Sequence, residues 1–174
     1  MLKIPVSESD HIQGDENARI TLVEYGDYEC PFCQTAHFIV KRIQKHFGDR
    51  LRFVFRNFPL VEIHPYAGMA AMAVEFAATH HKFWEMHDIL YENQQHLDIP
   101  DLLKYAKSLN LSTENLEIAI KKEIFADKIK NDFMGGVRSG VNGTPTFFIN
   151  GNRHNGSYEY EDFVLALEKA EETK

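Results

Sequence analysis

Both cysteines of this 174-residue chain fall in one tetrapeptide, Cys30-Pro31-Phe32-Cys33. Before them runs Ile20-Thr21-Leu22-Val23-Glu24-Tyr25, a β-branched, apolar segment of strand length that stops at Gly26. After them Ala36, Ile39, Val40, Ile43 and Phe47 recur at helical spacing, and Gly48 closes the run. The pair therefore sits where a strand hands over to a helix. With Cys30 as N-cap, Pro31 takes the first helical position, where its missing N–H costs nothing, and the N–H of Cys33 points back toward the Cys30 sulfur. A thiol ordinarily titrates near ~8.5, and helix N-termini and Cys-X-X-Cys pairs lower this to ~3.5–7.5. Cys30 is thus the expected attacking thiolate and Cys33, which opens the inward stripe, the resolving thiol. The i, i+3 separation lets the two sulfurs bond with little backbone movement. A zinc half-site is the competing chemistry, but it needs further thiolates or imidazoles and there is no second cysteine pair. Two inert buried cysteines are the blander alternative; the strand-to-helix junction, at the end of a sheet where α/β sites lie, argues for exposure. No metal is expected.

Glu24 interrupts an otherwise apolar strand six residues before Cys30. Pointing inward, its burial would raise its pKa and let it hold or pass a proton for the Cys33 thiol; pointing outward, it is an ordinary polar position. Thr144-Pro145 precedes a second short apolar run, Thr146–Ile149. Proline is tolerated at the start of a strand, where no ladder donor is lost, and a cis bond is the rarer form at ~5–6% of X-Pro bonds. Among the nine histidines, His80, His81 and His87 gather around Glu85 without forming a known ligand spacing. Most histidines are read as solvated or capping groups. His37, two helical turns from Cys30, is too distant for direct thiolate pairing. Met69, Met72, Phe76, Phe83, Trp84 and Met86 are read as core packing rather than a ligand groove.

The elements that must position these groups follow from periodicity. Residues 1–18 read as a polar lead-in. Strand 20–25, the helix after Cys30 and a strand over 51–58 closed by Pro59 make a parallel βαβ unit. From about 65 to 139 only helical patterns occur, over 70–76, 83–91, 102–109, 116–120 behind a Ser112/Thr113 cap, and 125–137. This is an expected helical insertion. Asn150-Gly151 between Thr146–Ile149 and Asn152–Asn155 signals a hairpin with a type I′ turn, and 158–170 makes an amphipathic closing helix.

Length and composition fit one α/β domain over 1–174. Lys plus Arg is 19 against 26 Asp plus Glu, a net charge of −7, so the basic footprint that nucleic acid demands is missing. The longest uncharged runs, Ile63–Val74 and Ser139–Asn152, fall short of the ~17 residues of a spanning helix. The first residues, MLKIPVSESD, lack the apolar core of a signal peptide, so the expected compartment for the chain as given is the cytoplasm, or the periplasm or cell envelope if a targeting segment has been removed.

Taken together, Cys30-Pro31-Phe32-Cys33 after a strand carrying Glu24, the long helical stretch, and Val141-Asn142-Gly143-Thr144-Pro145-Thr146 before a hairpin resemble the DsbA-like thiol-disulfide oxidoreductases of the thioredoxin superfamily. Val23 to Cys30, Phe83 to His87 and Gly143 to Gly151 are also similar to the thioredoxin-like domain fused to some bacterial sodium–proton antiporters. The resemblance implies a thioredoxin-like fold, a central mixed sheet flanked by helices with an inserted helical subdomain. It implies Cys30 as nucleophile, Cys33 as resolving thiol, Glu24 as buried acid, and Pro145 as a cis-proline facing the dithiol. Thr144 would offer backbone to a bound substrate chain, beside Pro31 and Phe32. The implied activity is disulfide exchange with protein thiols or disulfides and a redox partner, the Cys30–Cys33 pair carrying both electrons without a cofactor. Strongly oxidising members carry Pro-His between the cysteines; Pro31-Phe32 here implies a less oxidising pair. Reduction or isomerisation of disulfides or small oxidised thiols in the cytoplasm, and a non-catalytic peptide-binding or metal-binding module, are the alternative functions.

Overall fold

Every residue of Ile20–Gly26 is buried, because this strand has a hydrogen-bonded neighbour on each side and a layer of structure on each face. The computed structural model describes residues 1–173. Its elements are β1 (His11–Gln13), β2 (Ile20–Gly26), α1 (Pro31–Phe47), β3 (Leu51–Asn57), α2 (Ala67–Ala78), α3 (Phe83–Glu92), α4 (Ile99–Ser108), α5 (Thr113–Lys121), α6 (Ala126–Arg138), β4 (Thr146–Ile149), β5 (Asn152–Arg153) and α7 (Tyr160–Glu172). The sheet order is β1-β3-β2-β4-β5. β2 and β3 run parallel, and the other pairs are antiparallel.

Side chains alternate across β2. Ile20 and Leu22 join Phe53, Phe55, Phe147 and Ile149 in the core that α1, α7 and the α2–α5 helices cover. Val23 and Tyr25 join Val54 and Phe148 on the other face, covered by Val141, Phe58 and Phe133 of α6 with Leu2 and Val6 of the N-terminal segment. Glu24 therefore shares the face of Leu22, the face toward α1. Close by, a Cβ on Gly26 would come within 2.5 Å of Phe55 Cε2 and 2.9 Å of the Tyr91 hydroxyl, so β2 has room at its end for glycine alone.

The helices α2–α6 lie between β3 and β4, where helical patterns were expected, and Asp98 and Ser112 cap α4 and α5 by accepting from the backbone N–H of Asp101 and Asn115. The hairpin turns on Asn150 and Gly151, both at positive φ as a type I′ turn requires. Lys174, the last residue of the expected domain span, lies outside the described residues. Two expectations need correction. The 1–18 segment is not merely a lead-in: His11–Gln13 pairs antiparallel with Phe53–Phe55, a half-buried edge strand too short and too polar to show a strand period. The hairpin's return strand stops at Arg153 rather than Asn155.

Candidate active site

Cys30 is the N-cap of α1 with Pro31 behind it at the first helical position. Cys30 and Cys33 are both buried free thiols, while Pro31 is exposed and Phe32 keeps 65% of its surface in solvent. The Thr144–Pro145 peptide bond is cis, and Cys30 Sγ donates to the Thr144 carbonyl at 3.3 Å. The loop at the start of β4 thus lies against the cysteine pair, joining residues 114 positions apart. The Thr144 hydroxyl oxygen is buried without a partner, whereas the Thr146 hydroxyl donates to the Gly143 carbonyl and shapes the loop.

The Cys33 N–H donates to the Cys30 carbonyl at 3.0 Å as the first turn of α1 closes on its own backbone, and it also faces the sulfur closely enough to favour the thiolate. The thiolate is strongly favoured. A hydrogen bond from the Cys33 thiol does most to bring Cys30 down to about 5; burial opposes it, and the Thr144 side chain and the N–H groups of Cys33 and Phe32 assist. Cys33 moves the other way, well above the usual thiol range, through burial and the demand of Cys30 for its proton. Glu24 lies 1% exposed on the face under α1, its Oε1 without a partner. Burial first, then the negative charge of Cys30, raises its carboxyl to about 8.

A second tier of side chains holds the cysteine loop. Gln94, buried in the α3–α4 connection, donates through Nε2 to the carbonyls of Tyr28 at 2.9 Å and Cys30 at 2.8 Å. The buried Asp27 carboxylate accepts from the N–H of Glu29 and of Leu60 and bonds His64 Nδ1, each at 2.8 Å, while its carbonyl accepts from the N–H of Cys30. Glu29 accepts from the Tyr66 N–H at 2.6 Å. The 59–66 loop is thereby fastened to the cysteine loop.

The model of the family described as Thioredoxin matches residues 6–169. The chain belongs to this thioredoxin family. Its fold is that of the DsbA-like members: the structure of oxidised BdbD from Bacillus subtilis superposes with a TM-score of 0.87 at 27% identity, covering 97% of this chain and 96% of that one. The structure of alpha-DsbA1 from Wolbachia pipientis superposes at 0.84 with 23% identity, covering 99% and 95%. In sequence, the chain is 42% identical over 170 residues to the Na(+)/H(+) antiporter NhaA 1 of Salinispora arenicola and 38% identical over 169 residues to the Na(+)/H(+) antiporter NhaA of Herminiimonas arsenicoxydans, covering 97% of this chain in each case. It spans about a quarter of the length of these curated relatives, 26% and 27%. No helix among the described residues is long and apolar enough to cross a membrane.

In this thioredoxin-family chain the structure brings Cys30, Cys33, Glu24, Thr144 and Pro145 to one end of the sheet, with Pro31 and Phe32 at its surface. Gln94, Asp27 and His64 were missed. Asp27, an acid just after a strand-ending glycine, has the local signature of a side chain that bonds the backbone two residues on; Gln94 has no local signal, since it acts 64 residues away. The reading of most histidines as solvated is corrected for two of them. His37 and His87 are buried between α1, α3 and the sheet, stacked among Tyr91, Phe55, Phe83 and Trp84. Burial lowers both, His37 to about 4 and His87 well below the usual range. His80, His81 and Glu85 stay exposed. Phe76, Phe83 and Met86 are buried with Trp84 packed partly buried against the same core, as expected, whereas Met69 and Met72 also line an apolar groove with Val61, Ile129 and Phe133, which corrects their reading as core packing alone.

Proposed function

We propose that the protein is a thiol–disulfide oxidoreductase that exchanges disulfides with protein substrates through Cys30 and Cys33. The observation that carries this reading is the opposite displacement of the two thiols: Cys30 held to about 5 at a helix N-terminus, Cys33 buried beside it and pushed up. In the oxidising direction a substrate thiolate attacks Cys30 Sγ of the Cys30–Cys33 disulfide. The Cys30–Cys33 bond breaks, and Cys33 leaves as a thiolate that takes the proton of Glu24. A second substrate thiolate then attacks the substrate sulfur of the mixed disulfide, releasing a substrate disulfide and the Cys30 thiolate. Two electrons have passed to the protein. In the reducing direction the Cys30 thiolate attacks a substrate disulfide, and Cys33, its proton returned to Glu24, resolves the mixed disulfide.

The stabilised Cys30 thiolate is a good leaving group and favours the reduced pair, which supports disulfide donation as the net direction. A protein substrate is supported by the surface around the pair. Phe32 in the first turn of α1 and Val61, Ile63 and Tyr66 in the 59–66 loop keep 65%, 60%, 68% and 41% of their surface exposed, and Asp27 and Glu29 tie that loop to the segment before Cys30. The test is disulfide formation in a reduced dithiol peptide by the oxidised protein. Wild type should oxidise the peptide stoichiometrically, and Cys30→Ser should not. A Cys30→Ser chain that binds peptide as wild type does, beside a wild type that transfers no disulfide, would make the protein a peptide-binding module instead.

A further inference from the structure

Apart from the cysteine pair, the structure gathers a second set of metal-binding atom types. His37 on α1 with His87 and Asp88 on α3 present ligand atoms that all lie within 4.8 Å of one another. Both imidazoles are buried. Asp88 Oδ2 takes Lys41 Nζ at 2.6 Å, but Oδ1 is buried with no hydrogen-bond partner, and His37 Nε2 stands 4.0 Å from it, beyond hydrogen-bonding range. A buried carboxylate oxygen left bare beside two buried imidazoles calls for an explanation, since such atoms are normally satisfied.

We propose that His37, His87 and Asp88 form a binding site for a divalent transition-metal cation of the zinc class, separate from the cysteines. Two imidazole nitrogens and one carboxylate oxygen suit zinc-like ions, whereas calcium and magnesium demand sets made almost wholly of oxygen. The Tyr28 hydroxyl bonds His87 Nδ1 at 2.8 Å, which leaves Nε2 as the ligand nitrogen and fixes the ring, as an outer-shell partner does in metal sites. Bonds of about 2.0–2.1 Å require the three atoms to close to roughly 3.3 Å of one another. Asp88, half-buried on α3, supplies that movement, and the partly exposed Lys41 swings its ammonium into solvent. The bound cation would tie α1, which carries the cysteines, to α3.

The experiment is calorimetric titration of zinc chloride into the full 174-residue chain carrying Cys30→Ser and Cys33→Ser, so that no thiol can ligate. The expected result is one equivalent bound, with a rise in Tm by mass action and, with cobalt(II) in place of zinc, visible bands of a tetrahedral site without sulfur charge transfer. Added to this chain, Asp88→Asn should weaken zinc about tenfold or more, and His37→Gln likewise, with circular dichroism showing the fold retained. Because Asp88 sits partly at the surface, its variant keeps the test informative should the His37 variant misfold. No binding by the thiol-free chain, or binding unchanged by Asp88→Asn, would overturn the site.

Discussion

Cys30 Sγ donates to the Thr144 carbonyl at 3.3 Å, so the thiol and the loop before β4 are bonded only while Cys30 keeps its proton. Ionisation removes the donor and turns the sulfur into an acceptor, which frees that carbonyl for an N–H from elsewhere. The Thr144 hydroxyl, buried and otherwise unpartnered, is among the groups that lower Cys30. Thr144→Val should therefore move the Cys30 thiolate transition up from about 5, by about one unit. Ultraviolet thiolate absorbance against pH measures it, and an unshifted transition would remove the hydroxyl from the site.

Glu24 gives a prediction whose sign is fixed by linkage. Its folded-state pKa of about 8 lies above the ordinary 4.5, so between these values the folded chain keeps a proton that the unfolded chain has lost. Stability then falls as pH rises through this window, by at most about 1.4 kcal/mol per pH unit. Glu24→Gln abolishes that loss. The variant should gain on wild type steadily from pH 4.5 to about 8 in denaturant melts of the reduced proteins, and a constant difference across the window would show that Glu24 is not held protonated. Comparing variant with wild type matters, because the depressed Cys30 makes stability rise with pH above about 5 and partly hides the effect.

Gln94 should behave as a positioning residue. Its Nε2 serves the carbonyls of Tyr28 and Cys30, and Gln94→Leu leaves both without that donor. A cost of about 1–3 kcal/mol is expected. If Gln94 sets the geometry of the cap, the Cys30 thiolate transition moves as well; a stability loss with the transition unmoved would mark it as structural alone.

Arg56 and Asp10 pair beneath the N-terminal segment, at 2.7 and 2.9 Å, with side chains only 3% and 5% exposed. Burial is the largest influence and pushes the Asp10 carboxyl up, but the hydrogen bonds from Arg56 and the Ser7 N–H and the positive charges of Arg56 and Lys128 together outweigh it and hold the carboxyl below the usual range. Arg56 also donates to the carbonyls of Ile4 and Pro5 and to the Tyr25 hydroxyl, so it anchors residues 1–10 against β2 and β3. Asp10→Asn should cost about 3–5 kcal/mol in urea melts because it strands a buried guanidinium. A loss under about 1 kcal/mol would place the pair in effective contact with water.

The parts of this arrangement written in local pattern were legible beforehand. The Cys30 cap with Pro31 behind it, the helical stripe from Ala36 to Phe47 and the Asn150-Gly151 turn each follow from a few adjacent residues. Glu24 could be singled out because a carboxyl is out of place in an apolar strand, but its face was settled only by the register that puts Phe55 on one side and Phe147 on the other. What lay hidden is long-range. β1 exists because β3 offers it an edge, Gln94 matters because α3 ends beside the cysteine loop, and His37 and His87 are buried because α1 and α3 press together over the sheet.

The most direct test of the cysteine pair is its reduction potential, obtained by equilibrating the protein in a graded glutathione or dithiothreitol series and counting free thiols by mass. The expected result is one two-electron transition in which the thiols of Cys30 and Cys33 appear together, at a midpoint between the about −270 mV of thioredoxin and the about −120 mV of DsbA. Two thiols that stay free throughout the series, or that oxidise independently without forming the Cys30–Cys33 disulfide, would contradict thiol–disulfide exchange as the function of this protein.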